Sequence, residues 1–165
     1  LDGLQSSVYR FVQPRSGELV AERHPRSRVR HALGGYLLRA LPLSMSLRGS
    51  YRLYADDWGV RSHTFRLMHR SELGEHWGSK LETRLYVQDK ADFYKGSYPT
   101  TYRYMTRDRE LSSFWNLGVH MGLSYERGPW SLDAKVGLIR YEFFNFQPLP
   151  ERLALVSGGG AKLEW

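Results

Sequence analysis

Apolar and polar side chains alternate with a period of two along several stretches of the chain. Over residues 43–56, Leu43, Met45, Leu47, Gly49, Tyr51, Leu53 and Ala55 take one face, and Ser44, Ser46, Arg48, Ser50, Arg52, Tyr54 and Asp56 the other. An extended strand sorts residues this way; a helix, at about 3.6 residues per turn, would mix the two classes. Residues 77–88 repeat the pattern, with Trp77, Leu81, Thr83, Leu85 and Val87 against Lys80, Glu82, Arg84, Tyr86 and Gln88. Residues 115–126 set Trp115, Leu117, Val119, Met121, Leu123 and Tyr125 against Asn116, Gly118, His120, Gly122, Ser124 and Glu126. In 130–146, Leu132, Ala134, Val136 and Leu138 oppose Ser131, Asp133, Lys135 and Gly137, and the alternation blurs over 140–144, where a bulge is expected. The last segment places Leu153, Leu155, Ala161, Leu163 and Trp165 against Arg152, Lys162 and Glu164. Weaker alternation covers 28–41 and 59–72, and the faintest covers 4–12.

These segments predict about eight antiparallel strands joined as sequential hairpins. Leu41-Pro42-Leu43, Gly74-Glu75-His76 and Arg127-Gly128-Pro129 read as tight turns, and 56–59 and 147–150 as further connections. Two long polar connections remain, 13–27 and 89–108. No helical pattern, linker or low-complexity run interrupts the chain, so 1–165 is read as a single domain.

Composition narrows the class. The 165 residues carry a net charge of +7, from 24 basic and 17 acidic residues, which admits anionic partners. Cysteine is absent, which excludes disulfides, thiolate zinc sites, iron–sulfur ligation and c-type haem attachment. No charged segment followed by an apolar one marks a signal peptide, so any leader is expected to be already removed. No stretch approaches the ~18–20 apolar residues of a spanning helix, but a spanning strand needs only about 9–11 residues, every second one apolar. Aromatic residues make up 14% of the chain, with 11 Tyr and 5 Trp, a mix that suits strands.

An apolar strand face looks either into a core or out at lipid, and alternation alone does not decide between them. Three cues favour lipid. Long charges of both signs share the polar faces, where they would interlock across a lumen: Arg48, Arg52, Arg66, Lys80, Glu82, Arg84, Glu126, Asp133 and Lys135, with His120 among them. Tyr51, Trp58, Trp77, Trp115, Tyr125 and Trp130 fall near predicted strand ends, where interfacial girdles belong. The chain closes on an amphipathic strand ending in Trp165, which resembles the signal read by the bacterial outer-membrane assembly machinery. Connection lengths agree: with a periplasmic C-terminus, the short turns 127–129, 72–76 and 41–43 share one side, and 89–108 and 13–27 the other.

Particular motifs add a family resemblance. Tyr-Arg-Leu-Tyr-Ala-Asp-Asp-Trp-Gly-Val-Arg-Ser-His-Thr (51–64) resembles a motif of a bacterial family of predicted outer-membrane proteins catalogued as a domain of unknown function. Arg-Leu-Tyr-Val-Gln-Asp-Lys-Ala-Asp-Phe-Tyr (84–94), Met-Thr-Arg-Asp-Arg-Glu-Leu-Ser-Ser-Phe (105–114) and Arg-Val-Arg-His-Ala (28–32) are similar to the same family, so the likeness spans most of 28–126. It implies a Gram-negative outer-membrane β-barrel and transfers no activity. Members of that family are usually longer, so the resemblance implies either a short relative that closes with eight strands or the C-terminal part of a larger barrel.

Candidate chemistry is sparse. Ser62, His63 and Asp56 or Asp57 are the residue types of a nucleophilic triad, but neighbours on a strand face opposite sides. His63, His69 and His120 have no zinc-site spacing, and Asp89, Asp92 and Asp108 no calcium-loop spacing. The aromatic loop that holds those aspartates offers a surface for polysaccharide or a partner. The arginines form no basic run of a nucleic-acid binder. The sequence therefore predicts an all-β, antiparallel up-and-down transmembrane β-barrel in the bacterial outer membrane, acting without covalent chemistry, cofactor or metal. Its role is read as a pore favouring anions, a scaffold for an envelope assembly, or both. Its expected partners are outer-membrane lipid and lipopolysaccharide, the assembly machinery through the last strand, and other envelope proteins, with no nucleic acid. The alternatives are a lipid A hydrolase or acyltransferase centred on His63, and a soluble lipocalin-like ligand-binding barrel.

Overall fold

The computed structural model describes residues 11–15, 17, 19–146 and 148–163. Two short strands, β1 (Phe11–Val12) and β2 (Val20–Ala21), pair with each other. Seven long strands follow in one sheet, ordered as they occur in the chain: β3 (Arg30–Leu41), β4 (Met45–Asp56), β5 (Arg61–Leu73), β6 (Trp77–Gln88), β7 (Phe114–Arg127), β8 (Trp130–Phe143) and β9 (Glu151–Leu163). Every neighbouring pair is antiparallel. The architecture is all-β and up-and-down, as the alternation requires.

The faint alternation over 4–12 behaves differently from the rest. Residues 4–10 lie outside the described residues, and Phe11 and Val12 pair with Ala21 and Val20, not with the large sheet. Leu43 is also displaced from its expected place at the head of a strand. It lies in the turn, where Leu43 and Ser44 both take left-handed conformations, with φ of 61° and 54°. Gly74 and Gly128 supply the positive φ of the other two tight turns.

The three short turns lie at one end of the sheet, the turn end. The connections 57–60, 89–113 and 144–150 lie at the other, the loop end. No bulge forms at 140–144, because the β7–β8 and β8–β9 ladders run unbroken through Glu142. The alternation blurs there because polarity inverts at the loop end. Arg140 and Glu142 stand on the otherwise apolar face, where Arg140 lies 3.3 Å from Glu151. Tyr141 and Phe143 stand on the polar face, where a loop covers them.

Directly opposed residues of an antiparallel sheet share a face, so the register sorts all seven strands. The apolar face carries Leu37, Leu53, Leu67, Leu85, Val119, Val136 and Leu155 among others, continuously from β3 to β9. Among the described residues no protein layer covers it: Leu37 is 84% exposed, Met121 61% and Leu155 71%. The fully buried side chains lie instead at the loop end, in two clusters. Val60, Ala91, Tyr94 and Leu111 form one, with Tyr54, Trp58 and Phe93 packed on it; Val12, Tyr98 and Met105 form the other, with Val20.

Candidate functional site

All ten sequence-predicted lumen residues lie on the polar face, and the register arranges them in rows across the strands. One row runs Ser50–Arg66–Arg84–Gly118, the next Arg48–Met68–Glu82–His120–Gly137, and the third Ser46–Arg70–Lys80–Gly122–Lys135. Arg52 lies one row toward the loop end; Asp133 and then Glu126 lie toward the turn end. Glu82 is held from two sides, by Arg66 at 3.2 Å and Lys80 at 2.9 Å. Arg84 donates to Asn116 Oδ1 at 3.0 Å, and Arg48 stacks over Tyr36 at 4.1 Å. Arg66 and Arg84 stand directly opposite each other, so the middle of this face is electropositive.

This face is the concave one. A recess of about 760 Å³ is lined by residues from five adjacent strands, Ser46, Arg70, Lys80, Gly122 and Lys135 among them. The glycines report the same curvature. On the polar face, a Cβ on Gly137 would strike the His120 ring, one on Gly158 the Lys135 stem and one on Gly160 the Asp133 carboxylate. On the apolar face, Gly35 and Gly49 have nothing within 4 Å of that position. Side chains converge on the inside of a curved sheet and diverge on the outside, so glycine is needed where the long polar groups meet.

The loop end carries a cap that the strand pattern did not disclose. Residues 89–113 fold inward over the polar face. Gln88, on that face, donates to the carbonyls of Glu110 and Ser112 at 2.8 and 3.0 Å, and Arg109 lies over the Phe143 ring at 5.6 Å. Ser62, Gln88, Asn116 and Phe143 are buried beneath it. The Tyr98 hydroxyl organises the loop, accepting from the Thr106 and Lys95 N–H groups at 2.9 and 3.1 Å and donating to the Phe93 carbonyl at 2.5 Å. Burial pushes the Tyr98 hydroxyl pKa up, so it stays a neutral donor.

Residues 11–15 and 19–29 pack against this loop. Arg23 and Met105 exchange backbone hydrogen bonds, and Arg107 N–H donates to Glu22 Oε1 at 2.7 Å. His24 Nε2 stands 3.6 Å from Glu22 Oε2, and its ring lies against both Trp58 and Phe93, which also touch each other. Burial raises the Glu22 pKa, but the facing His24 and the bonds from Arg107 and Thr106 outweigh it and hold the carboxyl below its ordinary value. The Asp56 carboxylate has no exposed surface. It accepts from Arg28 at 2.6 and 2.8 Å, from Tyr54 at 2.7 Å, and from the Trp58 and Val60 N–H groups at 3.0 Å each.

The aromatic residues divide. Trp77, Trp115, Tyr125 and Trp130 lie on the apolar face, Trp115 toward the loop end and the others toward the turn end; Trp77 and Tyr125 pair at 4.9 Å. Tyr51 shares that face but stands at mid-strand, bonded to His63 Nδ1 at 2.7 Å. Trp58 is not on that face. It belongs to the cap, donating to the Ser27 carbonyl at 2.8 Å with Arg28 stacked on its ring. Trp165 lies outside the described residues. Ser62 faces the polar side and His63 the apolar side, so no triad assembles. His63 and His69 share the apolar face while His120 lies on the other, and no group of three metal-binding side chains occurs among the described residues. The sequence turn signal at 56–59 foretold the hairpin; the partnership of Asp56 with Arg28 had no local signal.

The fold and this surface define an all-β meander with one exposed apolar face and one concave, cationic face capped at the loop end. A family model described as protein of unknown function (DUF3570) matches residues 3–142, which takes in the whole stretch that carried the resemblance, and the chain belongs to that family. No curated protein and no solved structure matches the chain.

Proposed function

We propose that the chain spans the bacterial outer membrane as a β-barrel and works without covalent chemistry, as a pore that favours anions. The observation that carries this is the division of faces. Seven consecutive strands leave one continuous apolar face bare, while the long charged groups meet on the concave one. A soluble ligand-binding barrel has the reverse arrangement, with its apolar residues inside. The apolar band also has the right height. Trp115 and Tyr125, about ten residues apart on β7, are about 33 Å apart at about 3.3 Å per residue. A strand tilt of about 40° projects that onto about 25 Å, the apolar height of such barrels.

On this reading Arg66 and Arg84 set the field of the lumen, Glu82 trims it, and 89–113 narrows the outer mouth. Outer-membrane lipid and lipopolysaccharide surround the band, the assembly machinery inserts the chain through its last strand, and the cap offers its exposed surface to other envelope proteins. The lipid-modifying alternative gains no support from Ser62 and His63, which face opposite ways. Two measurements test the reading. The protein should need detergent for extraction from the outer-membrane fraction, and the purified protein in planar bilayers should give anion-preferring conductance steps. Extraction without detergent would overturn the membrane assignment; insertion without conductance would leave the scaffold role.

A further inference from the structure

The two edges of the sheet, β3 and β9, run in the same direction. β3 descends from the loop end to the turn end, each of six hairpin connections reverses the chain, and β9 descends again. Direct pairing of β9 with β3 would therefore be a parallel seam in an otherwise antiparallel sheet. Both edges are bare: all of β3 except Leu41 and all of β9 except Ala154 are exposed. Unpaired backbone along twelve- and thirteen-residue strands is untenable in hydrocarbon, where each unsatisfied group costs several kcal/mol.

A second copy does not remove the mismatch. Copies that share one membrane with their loops on the same side are related by rotation about the membrane normal. Such a rotation sets β9 of one copy beside β3 of the next, and the two again run parallel. An even number of added strands preserves the mismatch, and an odd number removes it. Residues 11–29 pack at the loop end, so the polypeptide enters the described structure at the end where a strand antiparallel to β3 finishes.

We propose that the space between β9 and β3 is filled by an odd number of further strands of the same polypeptide, the one beside β3 running antiparallel to it. The described sheet is then an odd-numbered arc of an even-numbered barrel. The inference rests on the barrel reading above, and fixes how that barrel closes.

The test uses the full natural chain in micelles. These 165 residues have no cysteine, and any cysteine elsewhere in the full chain is replaced by serine, so introduced thiols report alone. Leu37→Cys is combined in turn with Leu153→Cys, Leu155→Cys and Ser157→Cys, and treated with a short bifunctional thiol reagent. Leu37→Cys with Gly49→Cys, opposed on β3 and β4, is the control. The expected result is a link in the control and none between β3 and β9, within or between chains. Hydrogen exchange on the unmodified protein should show the β3 amides that do not bond to β4 as protected as those of β6. A β3–β9 link within one chain, a link between two chains, or rapid exchange along both edges would overturn the proposal. Labelling with a photoactivatable lipid is read separately. Protected edges with an unlabelled apolar face would remove the membrane assignment and leave the closure by further strands standing.

Discussion

His120 lays its ring across Gly137, its directly opposed neighbour on β8, so closely that any Cβ at that position would strike the imidazole. Gly118, on the same face, holds the other side of the ring, 3.1 Å from its Cε1 to a Cβ position. The middle of the concave face is packed to the point where glycine is the residue that fits, while Gly35 on the convex face looks into open space.

Gly137→Val should therefore cost about 1–3 kcal/mol through overpacking, whereas Gly35→Val should change stability little or raise it. Urea unfolding of the two variants in micelles makes the comparison. Equal sensitivity at both positions would contradict the assigned curvature.

Asp56 ties Arg28, Tyr54 and the 57–60 turn into one unit with no exposed carboxylate surface. Asp56→Ala strands the Arg28 guanidinium and should cost about 3–5 kcal/mol. Asp56→Asn retains an oxygen for the Trp58 and Val60 N–H groups and should cost less. Trp58 is the natural reporter, because its ring carries Arg28 and its indole N–H is bonded to Ser27. An unchanged fluorescence transition in Asp56→Ala would rule out the role assigned to this carboxylate.

The seam between 11–29 and 89–113 should weaken in acid. The Glu22 carboxyl is depressed below its ordinary value, so its contribution is fully present above the ordinary carboxylate range and is lost as pH falls through the folded value. Limited proteolysis should show the cap opening below about pH 4 before the sheet unfolds. Glu22→Gln should flatten that dependence.

Tyr98→Phe removes the hydroxyl that receives the Thr106 and Lys95 N–H groups and leaves both without that acceptor. The expected cost is about 1–3 kcal/mol, localised to the cap. Protease cutting within 89–113 should accelerate while the unfolding of the seven-stranded sheet stays put.

In the pore reading, charge reversal on the concave face should move selectivity. Arg66→Glu should lower the anion-to-cation permeability ratio by about ten-fold or more, since it changes the lumen by two charges and each is worth about 1 kcal/mol at contact distance in water. Glu82→Gln, which frees Arg66 and Lys80 from their shared carboxylate, should raise it. Reversal potentials in a salt gradient measure both. A ratio indifferent to both changes would place the lumen elsewhere.

Both faces of the seven strands were legible in the residue order, because side-chain alternation is a property of each strand alone. Leu47, Leu85, Val119 and Leu163 fall on one face, and Arg48, Glu82, His120 and Lys135 on the other, wherever the strands go in space. The three short turns were legible for the same local reason. What the tertiary structure decided are the contacts between segments far apart in the chain. Arg28 reaches Asp56, Glu22 reaches the Arg107 N–H, and Tyr94 reaches the Asn145 carbonyl. Those contacts move Trp58 from an expected membrane girdle into a cap, and they turn the aromatic end of β8 inward beneath a loop. Such pairings depend on which loops close over which edge, and period-two alternation carries no information about that. Sheet closure is decided at the same level, since it turns on the directions of two strands at opposite ends of the meander.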